Sequence, residues 1–225
     1  MRVTRWRRAR SGFAYRARMP LDLHALLDPA HTAVLTMELQ RGVMGDLAMI
    51  PDLADEVKAT GMLDHVGALL AAARTAGARV VHCTAEFRAD RAGSGTNAPM
   101  LRMSAKGGDN LVVGTPSAEV VPELGRQDGD LVVARLHGMT PFTGTSLDAT
   151  LRNCGIRTVV ATGVSLNVGV VGMVIEAVGL GYEVVVPPDA VAGVPHDYAE
   201  QVLQHTIPVI AYRIPTPQII ETWAG

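Results

Sequence analysis

The chain has 225 residues, 48% of them hydrophobic, with two cysteines and a formal charge of −2. That length supports one well-buried core and is short for two domains. Two cysteines are too few for a disulfide framework, and no apolar run approaches the roughly 18 residues of a membrane span, so a reducing, cytoplasmic setting without membrane contact is expected.

Residues 1–20 contain seven arginines (2, 5, 7, 8, 10, 16 and 18) and no acid, whereas the remainder carries 13 Lys+Arg against 22 Asp+Glu. A basic arm is one route to nucleic acid. The chain uses little lysine anywhere, however, and termini commonly lack fixed structure. The expectation is therefore a flexible basic extension over 1–20, without a nucleic-acid partner, before a single domain over 21–225. The twin arginines Arg7 and Arg8 precede no apolar stretch of signal-peptide length, which argues against export.

From Ala33 onward, short β-branched runs alternate with longer helical ones, the pattern of a parallel sheet with crossover helices. Strand one is "AVLTMEL" (33–39). A helix is predicted over 60–76, where Met62, Val66, Leu69, Leu70 and Ala73 recur at helical spacing before Gly77. Strand two is "ARVVHCTA" (78–85). Residues 86–129 hold glycine- and proline-rich pieces and read as a long irregular excursion, a usual place for a functional rim. Strand three is "DLVVARL" (130–136). The helix over 145–155 has Thr145 and Asp148 at capping-box spacing and Gly155 at its end. Strand four (157–163) leads to a helix over 168–179, strand five (182–190) to one over 196–206, and strand six (209–214) to a last helix over 216–223. The sum is a three-layer α/β/α sandwich around a six-stranded, mainly parallel, Rossmann-like sheet.

In such sheets ligands bind outside the carboxyl ends of the strands. Three segments meet that condition: Glu38 ending strand one, Arg135 ending strand three, and the turn "ATGVSLNVGVVG" (161–172) after strand four. Nearby polar candidates are Gln40 beyond strand one, Arg88 in "AEFR", and His137 between Arg135 and Phe142, each with a solvated-loop reading beside the functional one. Cys83, inside strand two, is either a buried inert thiol or a displaced nucleophile. No Walker or dinucleotide glycine pattern is present, and no cofactor is expected.

At these blocks the chain resembles a known family. "HTAVLTMELQRGVMGD", "GTPSAEVVPELGRQDGDLVVAR", "PFTGTSLDATLRNCGIRTVVATGV" and "GYEVVVPPDAVAG" are similar, in order, to the isochorismatase-like hydrolases, also called the cysteine hydrolase superfamily, over about residues 30–215. In its amidase branch the resemblance implies an Asp, Lys, Cys triad, whose positions fall here on Glu38, Arg135 and Gly169. Glycine cannot attack a carbonyl, so an acyl-enzyme at position 169 is excluded. The true isochorismatases also carry glycine there, in an arrangement that "GVSLNVG" (163–169) fits. They need no nucleophile: an acidic side chain protonates the methylene carbon of a vinyl ether, water adds, and the hemiketal collapses to pyruvate and a diol.

The resemblance further implies a cis peptide between Val164 and Ser165 and a pocket bordered by Val164, Ser165 and Asn167 at the start of the following helix. A metal is not expected, because the nicotinamidase relatives bind one through histidines after strand two and this chain reads "TAEFRADRAG" there. A homodimer or homotetramer is implied as well. Three functions remain open: a hydrolase of a small anionic metabolite acting through Glu38 and Arg135, a non-catalytic binder of a metabolite or protein, and an amide hydrolase using Cys83.

Overall fold

The computed structural model describes residues 21–225. The basic segment 1–20 lies outside the described residues. Runs rich in Val, Ala and Thr, which fit a pleated and buried surface, form β1 (Thr32–Met37), β2 (Arg79–Ala85), β3 (Leu131–Arg135), β4 (Thr158–Gly163), β5 (Glu183–Val186) and β6 (Tyr212–Arg213). They make one sheet in the order β3-β2-β1-β4-β5-β6, and every pairing is parallel, not merely most of them. A parallel sheet must be covered on both faces. Along β1, accordingly, Ala33, Leu35 and Met37 enter one apolar layer while Val34 enters the other.

The first layer holds α5 (Leu147–Asn153), α6 (Val171–Gly179), α7 (His196–Gln201) and α8 (Ile207–Ile210). The second holds α2 (Pro51–Thr60), α3 (Met62–Ala76) and α9 (Thr216–Ala224), with the short α1 (Leu23–Leu26) beside α9. The excursion between β2 and β3 carries α4 (Pro99–Ala105). The expected three-layer sandwich is the observed one.

Local differences have physical causes. The helix expected over 60–76 is preceded by a second, α2, which Pro51 opens in its first turn and Gly61 closes at φ +64°. Strand five stops at Val186 because Pro187 and Pro188 follow and cannot donate to a ladder. Strand six shrinks to two residues because the helical run that begins at His196 continues through a π turn to Ile210, with Pro208 just after that turn. The helices after β4 and after α7 each contain a π turn, Leu166–Val170 and Val202–Thr206. Thr145 Oγ1 accepts the Leu147 N–H at 3.1 Å from just before α5, but the N-cap residue is Ser146, whose side chain makes no capping bond. Asp148, however, takes no part in a capping box. It accepts the Tyr182 hydroxyl at 2.8 Å and pairs with Arg152 at 3.0 Å.

The carboxyl ends of β1 and β4 approach so closely that only glycine fits between them. Gly163, at φ +105°, faces Met37 across the ladder, and a Cβ there would stand 2.3 Å from the Met37 carbonyl oxygen. Gly163→Ala is expected to destabilise the fold by at least about 3 kcal/mol, through strain and backbone overlap. Gly67→Ala, in α3 with nothing within 4 Å of its Cβ position, should instead stabilise it by about 0.5–1 kcal/mol. Urea denaturation of the two variants checks both signs.

Candidate active site

The chain leaves β1 at Glu38, which adopts φ +52° and donates its N–H to the Cys83 carbonyl at 2.9 Å. This turn lifts the carboxylate over the end of β2 toward β3, where Ala85 is the ladder partner of Arg135. There Arg135 Nη2 donates to Glu38 Oε1, and Arg135 Nε donates to the Gly138 carbonyl at 3.3 Å. The Arg135 side chain is 7% exposed and that of Glu38 18%. The third guanidinium nitrogen, Nη1, is buried without a partner.

Glu38 and Arg135 sit together in a cleft that is otherwise mostly apolar. Val43, Phe87 and Leu111 form its inner wall; Met49, Met139 and, from α4, Met100 and Met103 form its rim. Met139 thus borders the cleft rather than filling it. The excursion is folded back to make this wall: Phe87 N–H donates to Leu111 O at 2.7 Å, and Arg91, stacked 4.8 Å over the Phe87 ring, donates through Nη2 to Asn110 O at 3.0 Å. Sequence reasoning misses the methionine rim. The signal available is the presence of Met100 and Met103 in a short stretch opened by Pro99.

Other expected site residues lie elsewhere. Gln40 is fully buried, and its amide is spent on backbone: Nε2 donates to Ala85 O and Ala118 O at 3.0 and 2.8 Å, while Oε1 accepts the Ala85 N–H at 2.8 Å. It holds the cleft's frame instead of lining the cleft. Arg88 is exposed and paired with Asp90 at 2.8 Å. The exposed His137 ring lies over Gly144. Phe142 is a core side chain, 6.0 Å from the Tyr182 ring.

The turn after β4 contains the cis peptide Val164–Ser165. Val164 is buried and donates its N–H to Met37 O at 2.9 Å, and the Leu166 N–H donates to Ala192 O at 2.7 Å. Ser165 donates its hydroxyl to Asn167 Oδ1, and Asn167 Nδ2 donates to Val194 O at 3.2 Å, so this polar pair braces the turn against the segment after β5. Gly169 is buried beneath Met37: a Cβ there would meet Met37 Cε at 3.0 Å. Gly172 is likewise covered by Thr140 Cγ2, at 2.5 Å from its Cβ position. At Gly169 and Gly172 the turn is therefore covered by neighbouring side chains, and the cleft that holds Glu38 and Arg135 lies on the β1 to β3 side of the sheet.

Cys83 is buried in the core, and that burial pushes its thiol up to about 12 against a smaller lowering by Arg135. It stays protonated at neutral pH and does not border the cleft. After β2, Glu86 accepts the Thr84 hydroxyl at 2.8 Å and Asp90 is held by Arg88, so these acids are engaged by neighbouring side chains.

A doubly wound parallel sheet with helices on both faces, carrying an acid just after β1 and a cation at the end of β3, places the molecule in the α/β/α class. The chain belongs to the isochorismatase family of hydrolases, residues 32–218 matching the isochorismatase domain. It is 38% identical over 104 residues to the isochorismatase family protein YwoC of Bacillus subtilis, a stretch covering 46% of this chain and about half, 54%, of that one. It is 29% identical over 194 residues to the ureidoacrylate amidohydrolase RutB of Rhizobium rhizogenes, covering 80% and 78% of the two chains. Among solved structures, an isochorismatase family protein from Desulfovibrio vulgaris superposes with a TM-score of 0.72 at 26% identity, over 86% of this chain and 98% of that one.

Two outcomes check this geometry. Iodoacetamide at pH 8 should label the half-buried Cys154 of the folded protein and leave Cys83 unmodified until denaturant is added; labelling of Cys83 in the native state would contradict its burial. Gln40→Ala, which strands three backbone groups at the sheet end, should lower unfolding stability by about 3 kcal/mol, measured by chemical denaturation.

Proposed function

We propose that this hydrolase acts on a small anionic metabolite by direct use of water, without a covalent cysteine intermediate, with Glu38 as general acid/base and Arg135 as its charge partner. The observation that carries the proposal is the placement of these two charged side chains on an otherwise apolar cleft, while position 169 offers no thiol and Cys83 is protonated and outside it. Arginine remains charged at any working pH, so Arg135 can hold an anionic group or offset developing charge but cannot carry a proton. Proton movement falls to Glu38.

Two bond types suit such a pair. With a vinyl ether, as in the isochorismatases, Glu38 would deliver a proton to carbon and recover one from the adding water. With a C–N bond, the type the RutB relative's name indicates, it would take a proton from the attacking water and return it to the leaving nitrogen. The second reading, a non-catalytic binder, draws on the engagement of the Glu38 carboxylate by Arg135. Self-association as a dimer or tetramer belongs to the same proposal, supported by apolar side chains on α6 and α8 that face solvent, among them Ile175 and Val209, the latter 81% exposed. A cytoplasmic location also remains part of it; among the described residues no helix is long and apolar enough to cross a membrane.

The test is turnover of isochorismate and of a panel of small amides that includes ureidoacrylate. On any substrate turned over, Glu38→Gln should lower kcat about 10²- to 10⁴-fold, and Cys83→Ala should leave it unchanged. Full activity in Glu38→Gln would overturn the assignment, loss in Cys83→Ala would restore the thiol mechanism, and absence of turnover throughout would leave the binder.

A further inference from the structure

We infer that the cleft takes a monocarboxylate with an apolar body, its carboxylate received by Arg135 and its hydrocarbon by the methionine rim carried on the excursion. The inference rests on the function proposed above and narrows its substrate. Arg135 is the starting point. Its Nη2 is engaged by Glu38 and its Nε by Gly138 O, but Nη1 is buried with no acceptor. A buried charged donor without a partner is costly, so an acceptor belongs to the working state. The open space that Arg135 borders is this cleft, and the acceptor must arrive through it. With Nη2 and Nε engaged, the free Nη1 can give a charge-assisted hydrogen bond to one oxygen of an anion such as a carboxylate.

Charge then limits the ligand to one negative group. Glu38 and Arg135 are the charged side chains lining the cleft, and they cancel. An incoming carboxylate shares one guanidinium with Glu38. A second anionic group, or a phosphate dianion, would find no further cation on these walls. Desolvating it unpaired is prohibitive.

The walls fix the remainder. Apart from the charged pair, the polar side chains bordering the cleft are Ser104 and Asn110, and Asn110 Nδ2 already leans on Gly42 O at 3.4 Å. A polyol body would lose more hydrogen bonds to water than these two could return. Met100 and Met103 face the cleft from α4, a helix with no buried residue of its own, and they are 40% and 51% exposed. Apolar side chains on a helix that contributes nothing to the core are explained by an apolar partner between α4 and the inner wall. Unbranched thioethers adapt to such a body without a fixed shape.

The experiment is calorimetric titration of the full chain with acetate, butanoate, hexanoate, benzoate, hexanamide, adipate and inorganic phosphate. Affinity should rise about fourfold per added methylene from acetate to hexanoate, with benzoate in the same range as hexanoate. Hexanamide, adipate and phosphate should bind at least tenfold more weakly than hexanoate. Arg135→Met should erase the preference for hexanoate over hexanamide. The exposed pair Met100→Gln/Met103→Gln should flatten the chain-length series while acetate binding stays unchanged, which keeps the test sound if Arg135→Met fails to fold. Equal binding of hexanoate and hexanamide, tight binding of adipate or phosphate, or a flat series in the unaltered protein would overturn the inference. Glu38→Gln separates it from the hydrolytic reading: removing the competing carboxylate should tighten hexanoate binding, weaker binding would overturn the inference, and if the variant keeps turnover, the catalytic assignment fails while the ligand class stands.

Discussion

The carboxyl end of the sheet is organised by one ion pair that joins β1 to β3 across the end of β2. Taking a carboxylate and a guanidinium out of water costs several kcal/mol per ion, and mutual attraction offsets this only when hydrogen bonds are complete. Here they are not, since Arg135 Nη1 has no acceptor. A pair of apolar side chains of similar volume would serve the fold as well or better. Stability alone therefore does not account for Glu38 and Arg135, and the proposed anionic ligand is what would complete their hydrogen bonds. Strand β2 separates their strands, and the pair meets across it with Glu38 on a left-handed turn at φ +52° and Arg135 at the end of β3.

The turn after β4 shows the complementary change. With glycine at 169, the space a thiol would occupy belongs to Met37, which is wholly buried and packs its Cε against Gly169. Met37 and Glu38 are adjacent, so the same strand end that supplies the acid also closes the neighbouring position. Thr140 covers Gly172, and the loop leaving β3 thereby lies against the first turn of α6. Positions 169 and 172 of that turn thus serve packing, and the charged pair borders a cleft at the β1, β2 and β3 ends.

The sheet is legible in the sequence because buried parallel strands are written locally: β-branched runs, ended by glycine or followed by proline. Glu38 and Arg135 are legible for the same reason, since a charged residue where such a run ends has few places to point. The roles of Gln40 and Phe142 are not. A polar side chain beyond a strand looks solvated until Ala85 and Ala118 are seen to converge on it, and those contacts span 45 and 78 residues. Phe142 sits on a loop, yet the loop dips into the core. Helix α4 is hidden because it buries nothing and so carries no apolar periodicity, and the π turns at Leu166 and Val202 interrupt the spacing by which a helix is read.

These contrasts divide the site into a rigid half and an adaptable half. The ion pair stands on strand ends, where the ladder and the frame supplied by the Gln40 amide fix positions closely, as the proposed proton transfer would require. The methionines stand on loops and on α4, which buries no residue of its own. The chain returning from α4 is tied by Arg91, whose Nη2 reaches only backbone carbonyls, such as that of Asn110 at 3.0 Å. Segments of that kind open at lower free energy than the sheet. Under the proposed function, chemistry falls to the part of the molecule the fold cannot vary and ligand shape to the part it can, because a loop excursion over a sheet can change without disturbing the layers beneath it.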